Sequence, residues 1–411
     1  MVHDGNSGDG APSAGGLRRV LTLPELVAYG LGTTIGAGIY VLIGKVAGLA
    51  GGQGIYAFLL ACVAVLLPAM AYAEFVGRQP FAAGSARYVA HGTRRPWLGT
   101  AAGLVVSLAG MVSSAALALG AAGYLSRWLA LPETAMALGL IGLLAGVALL
   151  GIRESVWLAG LITLLEVGAL LAVLFAGIVE MPGAVAAALV VPPPMTMAEV
   201  SAVLAATVLA FFAFIGFEDM VSVAEEAVDP ARNVARAILI TLGVTLLIYI
   251  GVYAVALAAV PPDELARSSA PMALVASRLA WLPGDAVGAV AVVAVVNGVL
   301  VQIVMASRVL YGLARMGQLP GVLARVHARR RTPWVAILLV AGVIAALALS
   351  FPVATLADAT SRIVMGMYAL VCLSLLLVKR RGEPLPEGAF EAPAWAVAAG
   401  MILCLALLVL A

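Results

Sequence analysis

The chain alternates long apolar runs with short polar stretches. Eleven apolar runs lie near residues 24–48, 54–77, 97–125, 134–151, 157–179, 200–224, 237–260, 285–314, 333–350, 355–378 and 393–411. Runs of this length fit helices that cross a hydrocarbon core of about 30 Å. A membrane β-barrel is excluded, because its strands would alternate apolar and polar residues with a period of two. The pattern therefore predicts an all-α membrane protein with about eleven transmembrane helices.

The composition supports this prediction. Hydrophobic residues make up 64% of the chain, charged residues only 11%, and the mean hydropathy is +1.11, whereas soluble domains carry about 25% charged residues. Cys62, Cys372 and Cys404 lie inside apolar runs without metal-ligand spacing, so we interpret them as packing residues. The sequence contains no nucleotide-binding motif. We expect no cofactor, no metal site and no nucleic-acid partner, only the lipid bilayer and a small substrate.

The basic residues between the runs predict the orientation. With a cytoplasmic N-terminus, the inner loops receive 18 Lys and Arg residues and the outer loops five. Positive charge favours the cytoplasmic side, so we expect a multi-pass protein of the inner (plasma) membrane. Residues 1–16, rich in small polar residues, are expected to form a disordered cytoplasmic tail, and no cleavable signal peptide is evident.

Two of the predicted helices contain glycine at mid-membrane depth. The first carries Gly30, Gly32, Gly36 and Gly38, and each glycine costs a helix roughly 1 kcal/mol relative to alanine. The sixth has a milder counterpart at Gly216, 180 residues and five spans later. Corresponding interruptions predict two inverted repeats, over 17–180 and 200–380, followed by an additional helix at 390–411.

Interrupted backbone within a membrane is tolerated only where it lines a cavity. Amide groups at the start of the outer half of helix 1, those of Gly36, Ala37 and Gly38, would favour an anion. Carbonyl groups would accept hydrogen bonds from an ammonium group; these belong to Thr34, Ile35, Phe212 and Ile215. Carboxylate at one end and amine at the other describe a free α-amino acid. The alternative is that Gly32 and Gly36 only allow close helix packing, but the paired interruption favours a binding site.

Several segments resemble the amino acid–polyamine–organocation superfamily, and are most similar to its cationic amino acid transporter-like branch. The matching segments are 33–42 in helix 1, 71–75 with Gly84, Ser85 and Tyr88, 212–218 and 225–230 in and after helix 6, and 307–311 through 318–320 at the end of helix 8. The resemblance implies the five-plus-five inverted-repeat fold of the leucine transporter, with discontinuous helices 1 and 6. It also implies secondary active transport by alternating access.

The resemblance also assigns roles to residues of this chain. Phe212 corresponds to an aromatic gate over the substrate, and the segment Ala213, Phe214, Ile215 and Gly216 lines the site beside it. Ser114 in helix 3 and Gln302 in helix 8 match positions that face the substrate side chain. Glu218 matches an acid of helix 6 that is implicated in gating or proton sensing.

Two departures from the family pattern affect these expectations. The family usually has twelve spans and eleven are predicted here, which leaves the oligomeric state unknown. Some proton-coupled relatives place a lysine in helix 5 where this chain has Glu166, so the coupling mechanism stays open. Helix 8 lacks the adjacent Ser/Thr pair that a sodium site would use, so proton coupling through Glu218 or Glu166, or exchange, is favoured over sodium coupling.

We also considered other functions and other substrates. An enzyme would need a nucleophile–base pair or a metal cluster, and the three histidines (His3, His91, His327) lie in the tail or in loops. A sensor would normally add a soluble signalling domain. Small neutral amino acids are the expected substrates, with cationic amino acids or polyamines as the alternative. Asp358 and Arg362, spaced i, i+4, are expected to form a local ion pair, and Glu74 is expected to be structural.

Overall fold

The structure, a computed structural model, describes residues 19–79, 84–150 and 156–410, without the side chains of 156–160. The predicted tail, 1–16, lies outside the described residues. The described helices are α1 Leu23–Thr34, α2 Ala37–Ala50, α3 Gly54–Arg78, α4 Gly84–Thr93, α5 Pro96–Leu125, α6 Glu133–Leu150, α7 Val156–Glu180, α8 Pro182–Leu189, α9 Met197–Phe212, α10 Pro230–Ala259, α11 Pro262–Arg267, α12 Pro271–Ser277, α13 Gly284–Arg315, α14 Trp334–Ser350, α15 Val353–Arg380 and α16 Ala394–Leu410. Short 3₁₀ segments complete the elements, the longest being Phe217–Glu226.

The helices confirm a multi-pass membrane protein. Among the described residues, eight helical stretches are long and apolar enough to cross a bilayer, one of which contains both α2 and α3. The helices α14 and α16 are apolar but shorter. Each of the eleven predicted runs contains one of these helices, although the number that spans the bilayer and the inverted repeat stay predictions.

Both predicted interruptions are present in the backbone. The helix α1 ends at Thr34, and α2 begins at Ala37, after two intervening residues, with Gly36 as its N-cap. The helix α9 ends at Phe212, and the chain continues as a 3₁₀ segment from Phe217. Gly216 adopts a φ of 125°, a conformation that L-residues rarely adopt. Helix 1 therefore ends within its glycine-rich segment, whereas α9 ends four residues before Gly216.

The two longer loops are partly helical. The predicted helical stretch near 271–281 is confirmed as α12. The loop 78–96 contains α4, whose Tyr88 is fully buried and stacks on Phe75 with the ring centroids 4.7 Å apart. The helix α4 therefore packs against α3 and presents at least this aromatic side chain to the protein interior.

Buried charges fix one end of the helix bundle. The carboxylate of Glu74 is fully buried and lies 2.7 Å from Arg78 and 2.7 Å from Lys379. The amide of Ala392 donates to Oε2 of Glu74 at 2.8 Å. Removing one partner of such a group is costly, because a buried charge is left uncompensated. These contacts join α3, α15 and the segment before α16, and they support the structural role expected of Glu74. The expected Asp358–Arg362 ion pair is confirmed at 2.7 Å.

Candidate functional site

The interruption in helix 1 leaves backbone amides without partners. We find no hydrogen bond from the amides of Gly36, Ala37 or Gly38 to an acceptor among the described residues. They begin α2, a helix of 14 residues whose N-terminal end is electropositive. A Cβ built on Gly36 would meet no atom within 4 Å. This end of α2 is thus a donor group next to open space, which can bind an anion.

The interruption in helix 6 has a different design. The amide of Gly216 donates to the carboxylate of Glu218 at 2.9 Å. The carbonyl of Phe212 accepts from the amide of Ile215 at 3.3 Å. Both groups therefore have partners within their own segment, and the carbonyl of Ile215 accepts no hydrogen bond that we find in the described part of the chain.

The two interruptions lie against each other. A Cβ on Gly216 would collide with the carbonyl oxygen of Thr33, and a Cβ on Gly38 would lie 3.0 Å from the Cα of Ala213 and 3.2 Å from the ring of Phe212. Glycine is therefore required at Gly216, whereas a Cβ at Gly38 would force its neighbours to shift by a few tenths of an ångström. The structure thus brings together the predicted residues of helix 1 and of helix 6, with the ring of Phe212 beside the start of α2.

Tyr249 of α10 connects the ends of α1 and α9. Its hydroxyl lies 2.8 Å from the carbonyl oxygen of Ala213 and 3.2 Å from that of Thr34. These carbonyls lie at the C-terminal, electronegative ends of α9 and α1. A hydroxyl has one proton, so the two oxygens share a single donor. The carbonyl of Thr34, a predicted acceptor for the ammonium group, also faces this hydroxyl, and its contact with the substrate stays a prediction.

Glu218 links helix 6 to α15. Besides the amide of Gly216, its Oε2 accepts a hydrogen bond of 2.8 Å from the hydroxyl of Tyr368. The ring of Tyr368 packs against Phe217 and Tyr72, with centroids 5.3 and 5.7 Å away. The carboxylate therefore holds the interruption of helix 6 to a buried aromatic cluster, and changes at this carboxylate can reach both α3 and α15.

Glu166 of α7 lies beside the outer half of helix 1. Its side chain is 2% exposed, and its backbone carbonyl accepts from the hydroxyl of Tyr40 at 2.6 Å. The carbonyl of Tyr40 in turn accepts from the hydroxyl of Tyr124 at 2.6 Å. No hydrogen bond or ion pair of the Glu166 carboxylate is found among the described residues. The position is deeply buried next to α2, and a role in coupling stays a prediction.

Three buried hydroxyls near the interruptions lack protein partners among the described residues, those of Thr34, Thr241 and Thr245. Elsewhere a buried threonine donates to the carbonyl four residues earlier, as Thr207 does to Val203 at 2.7 Å. A Cβ on Gly30 would lie 2.6 Å from the Oγ1 of Thr241, so this threonine faces α1. The interface of α1 and α10 therefore carries buried polar groups for which no hydrogen-bond partner is found in the described part of the chain.

The predicted pair for the substrate side chain lies on two facing helices. A Cβ on Gly110 of α5 would collide with the Oε1 of Gln302 on α13. The hydroxyl of Ser114 is fully buried and donates to the carbonyl of Gly110 at 2.8 Å. The two residues thus approach the same turn of α5. That they face the substrate stays a prediction, as does the contribution of Phe214, whose ring packs on Tyr249 with centroids 5.1 Å apart.

Sequence reasoning missed the two tyrosines that hold the interruptions. A signal was present for one of them: Thr241, Thr245 and Tyr249 are spaced by four and so share one face of a helix. Polar groups on one face of an otherwise apolar span are a reason to expect a polar interface. Tyr368 carried no comparable signal, because its partner Glu218 is 150 residues away.

Comparison with known proteins identifies a protein family that this chain matches. A family model described as amino acid permease matches residues 21–411. The chain is 28% identical to the branched-chain amino acid permease BcaP of Bacillus subtilis, over 95% of this chain and 88% of that protein. It is 34% identical to an uncharacterized transporter of Mycobacterium tuberculosis, over 88% and 80%. It is 30% identical to the mitochondrial cationic amino acid transporter 3 of Arabidopsis thaliana, over 88% and 63%.

Proposed function

Because the chain belongs to the amino acid permease family, its function is amino acid transport, and we propose that one free α-amino acid binds between the two interruptions and crosses by alternating access. The observation that carries this proposal is the set of unpartnered amides at Gly36–Gly38, placed directly against helix 6. The family and the relatives named above are permeases and transporters, and none of them is an enzyme. We also propose the orientation predicted by the basic residues, with the N-terminus in the cytoplasm.

The carboxylate of the substrate binds the start of α2. Three amides converge there, and the helix dipole adds to their attraction for an anion. The open space beside Gly36 gives the ligand room that the tightly packed Gly38 and Gly216 do not offer. The amine faces the carbonyls of Ile35 and Ile215, for which we find no donor among the described residues.

Transport is independent of sodium. A cation between the two interruptions would bind the carbonyls at the C-terminal ends of α1 and α9. The hydroxyl of Tyr249 already lies within hydrogen-bond distance of one carbonyl from each helix. The hydroxyl of Tyr249, a neutral donor, therefore takes the place that a sodium ion would otherwise occupy at these carbonyls.

Protons act through Glu218. Burial disfavours a charged carboxylate, whereas its two hydrogen bonds favour it. Protonation would weaken the contacts with Gly216 and Tyr368, and so loosen helix 6 from the aromatic cluster. Loss of that attachment is a way to change the packing of helix 6 during the transport cycle.

The favoured substrates are small and neutral. The predicted side-chain region, with Ala109, Gly110, Ser114 and Gln302, offers no charge for a guanidinium or ammonium side chain. The relatives point in two directions, because their names include branched-chain and cationic amino acids. An exchanger, or a carrier of cationic amino acids or polyamines, is the alternative.

Uptake into proteoliposomes tests the proposal. Labelled alanine should accumulate without sodium when the outside is more acidic than the inside, and unlabelled alanine, serine and leucine should compete. A strict sodium requirement would contradict the coupling. Stronger competition by arginine and lysine would contradict the substrate preference and implicate Glu166 or Glu218 as a partner for the cationic side chain.

A further inference from the structure

A cavity of about 460 Å³ lies where α6 ends and α14 begins, away from the interruptions of helices 1 and 6. Arg329 and Arg330 line it together with Trp334. Leu150 and Leu338 form its apolar part. By the predicted orientation, this cavity opens at the cytoplasmic surface of the membrane, and substrate transport as proposed above makes no use of it.

The arginines around this cavity have no acidic partners in the part of the chain that the structure describes. Arg329, Arg330 and Arg331 are exposed, and no ion pair of theirs is found among the described residues. Some other basic residues on the predicted cytoplasmic face do have partners, as Arg381 has in Glu383 at 2.7 Å. The cavity therefore places Arg329 and Arg330 side by side without an acidic residue in its lining.

A second cavity of the same size provides an internal comparison. It also measures about 460 Å³, and its lining includes Arg78 and Lys379 but also Glu383 and Glu391. Its basic residues are paired within the protein, for example Lys379 with Glu391 at 3.6 Å. Size alone therefore does not distinguish the two cavities, whereas the charge of the lining does.

The loop that carries the arginines is held in one shape. The amide of His327 donates to the carbonyl of Thr332 at 2.8 Å, and the amide of Arg331 donates to the carbonyl of His327 at 2.9 Å. The hydroxyl of Thr332 donates to the carbonyl of Leu149 at the end of α6, at 3.1 Å. The arginines are thus presented by a closed loop attached to α6, which lowers the entropy cost of binding a ligand.

The apolar part of the cavity continues onto the lipid-facing side of the helices. Leu150 is 52% exposed, Leu338 is 48% exposed and Trp334 is 37% exposed. In a membrane helix, exposed leucines contact acyl chains, and tryptophan is enriched at the level of the headgroups. The cavity therefore has a basic mouth and an apolar wall, in the order in which a phospholipid presents its headgroup and its chains.

We propose that this cavity binds an anionic phospholipid of the cytoplasmic leaflet. Arg329 and Arg330 bind the phosphate, for which the guanidinium group is suited because it can donate two parallel hydrogen bonds. The acyl chains lie along Leu150 and Leu338, and Trp334 packs at the level of the headgroup. Basic pockets between transmembrane helices on the cytoplasmic side are suited to such lipids.

Lipid titration of the purified full chain in detergent tests the proposal. Phosphatidylglycerol and phosphatidylcholine of equal chain length would be compared by native mass spectrometry, with wild type, R329Q/R330Q, R329K/R330K and R380Q. Arg380 is exposed and basic but lies at the end of α15, so R380Q is the matched control. We expect wild type to prefer phosphatidylglycerol, and R329Q/R330Q to lose about fivefold in affinity per arginine.

R380Q should bind phosphatidylglycerol like wild type, and R329K/R330K should bind it less tightly than wild type but more tightly than R329Q/R330Q, because lysine keeps the charge and loses the paired donors of the guanidinium group. The lysine variant also gives a result if the glutamine variant does not fold. Equal binding of the two lipids by wild type, or an equal loss in R380Q, would overturn the proposal. So would competition by inorganic phosphate at a concentration similar to that of the lipid, which would indicate a site for free phosphate.

Discussion

The two interruptions look alike in sequence and differ in structure. In helix 1 the chain resumes as a regular α-helix after two residues, and its first amides have no partners among the described residues. In helix 6 the chain resumes as a 3₁₀ segment, and the amide of Gly216 is already bound by Glu218. We therefore propose that the first interruption binds a ligand and that the second responds to a change within the protein. The presence of a glycine in a membrane helix does not by itself distinguish a ligand-binding interruption from one that responds to a change within the protein.

The largest expected difference between the two interruptions concerns their glycines. The G216A variant places a Cβ against the carbonyl of Thr33 at a φ of 125°, and strain of this kind costs roughly 1–3 kcal/mol. The G36A variant places a Cβ in open space. We expect G216A to lower the melting temperature in detergent by several degrees and to abolish uptake, whereas G36A melts like wild type and loses affinity for alanine. A G36A variant with full affinity would show that the open space is not the substrate site.

A smaller effect is expected when the connection between the interruptions is removed. The Y249F variant loses the hydroxyl that faces Ala213 and Thr34, which costs about 1 kcal/mol. We expect about fivefold weaker binding of alanine, measured by titration of the purified protein. The control is Y253F, because Tyr253 lies one turn later on α10 and donates instead to the carbonyl of Gly51. Equal effects of the two variants would mean that Tyr249 has only a general packing role.

Replacing Glu218 is expected to change the pH dependence of alanine uptake and not the affinity for alanine. The E218Q variant keeps the shape of the side chain and most of its hydrogen bonds while it removes the titration. In proteoliposomes, the wild type should take up alanine faster from acidic solution, and E218Q should show the same rate at each pH while it still binds alanine. E166Q is the matched variant at the second acid proposed for proton coupling. If E218Q keeps the pH dependence and E166Q loses it, protons act at α7; if both keep it, the account of coupling is wrong.

The sequence predicted the positions of the helices better than the contacts between them. Apolar runs and glycines are local signals, and they predicted the interruptions at Gly36 and Gly216, the second of which begins at the end of α9, four residues earlier in the chain. The contacts of Tyr249 and Tyr368 join segments that are far apart in the chain, and a single sequence carries no record of such pairs. The carbonyl groups of Thr34 and Phe212 illustrate the same limit. The donor that faces Thr34 is the hydroxyl of Tyr249 on another helix, and the donor to Phe212 is the amide of Ile215 in a local turn.

The central claim is that the interruption of helix 1 binds a carboxylate while an amine is held opposite. Thermal-shift titration with alanine, ethylamine and propionate measures this directly, because each of the latter two lacks one of the charged groups. The account predicts stabilisation by alanine at concentrations at which neither ethylamine nor propionate has an effect. Stabilisation by ethylamine equal to that by alanine would contradict the account and would indicate that the site binds amines without a carboxylate.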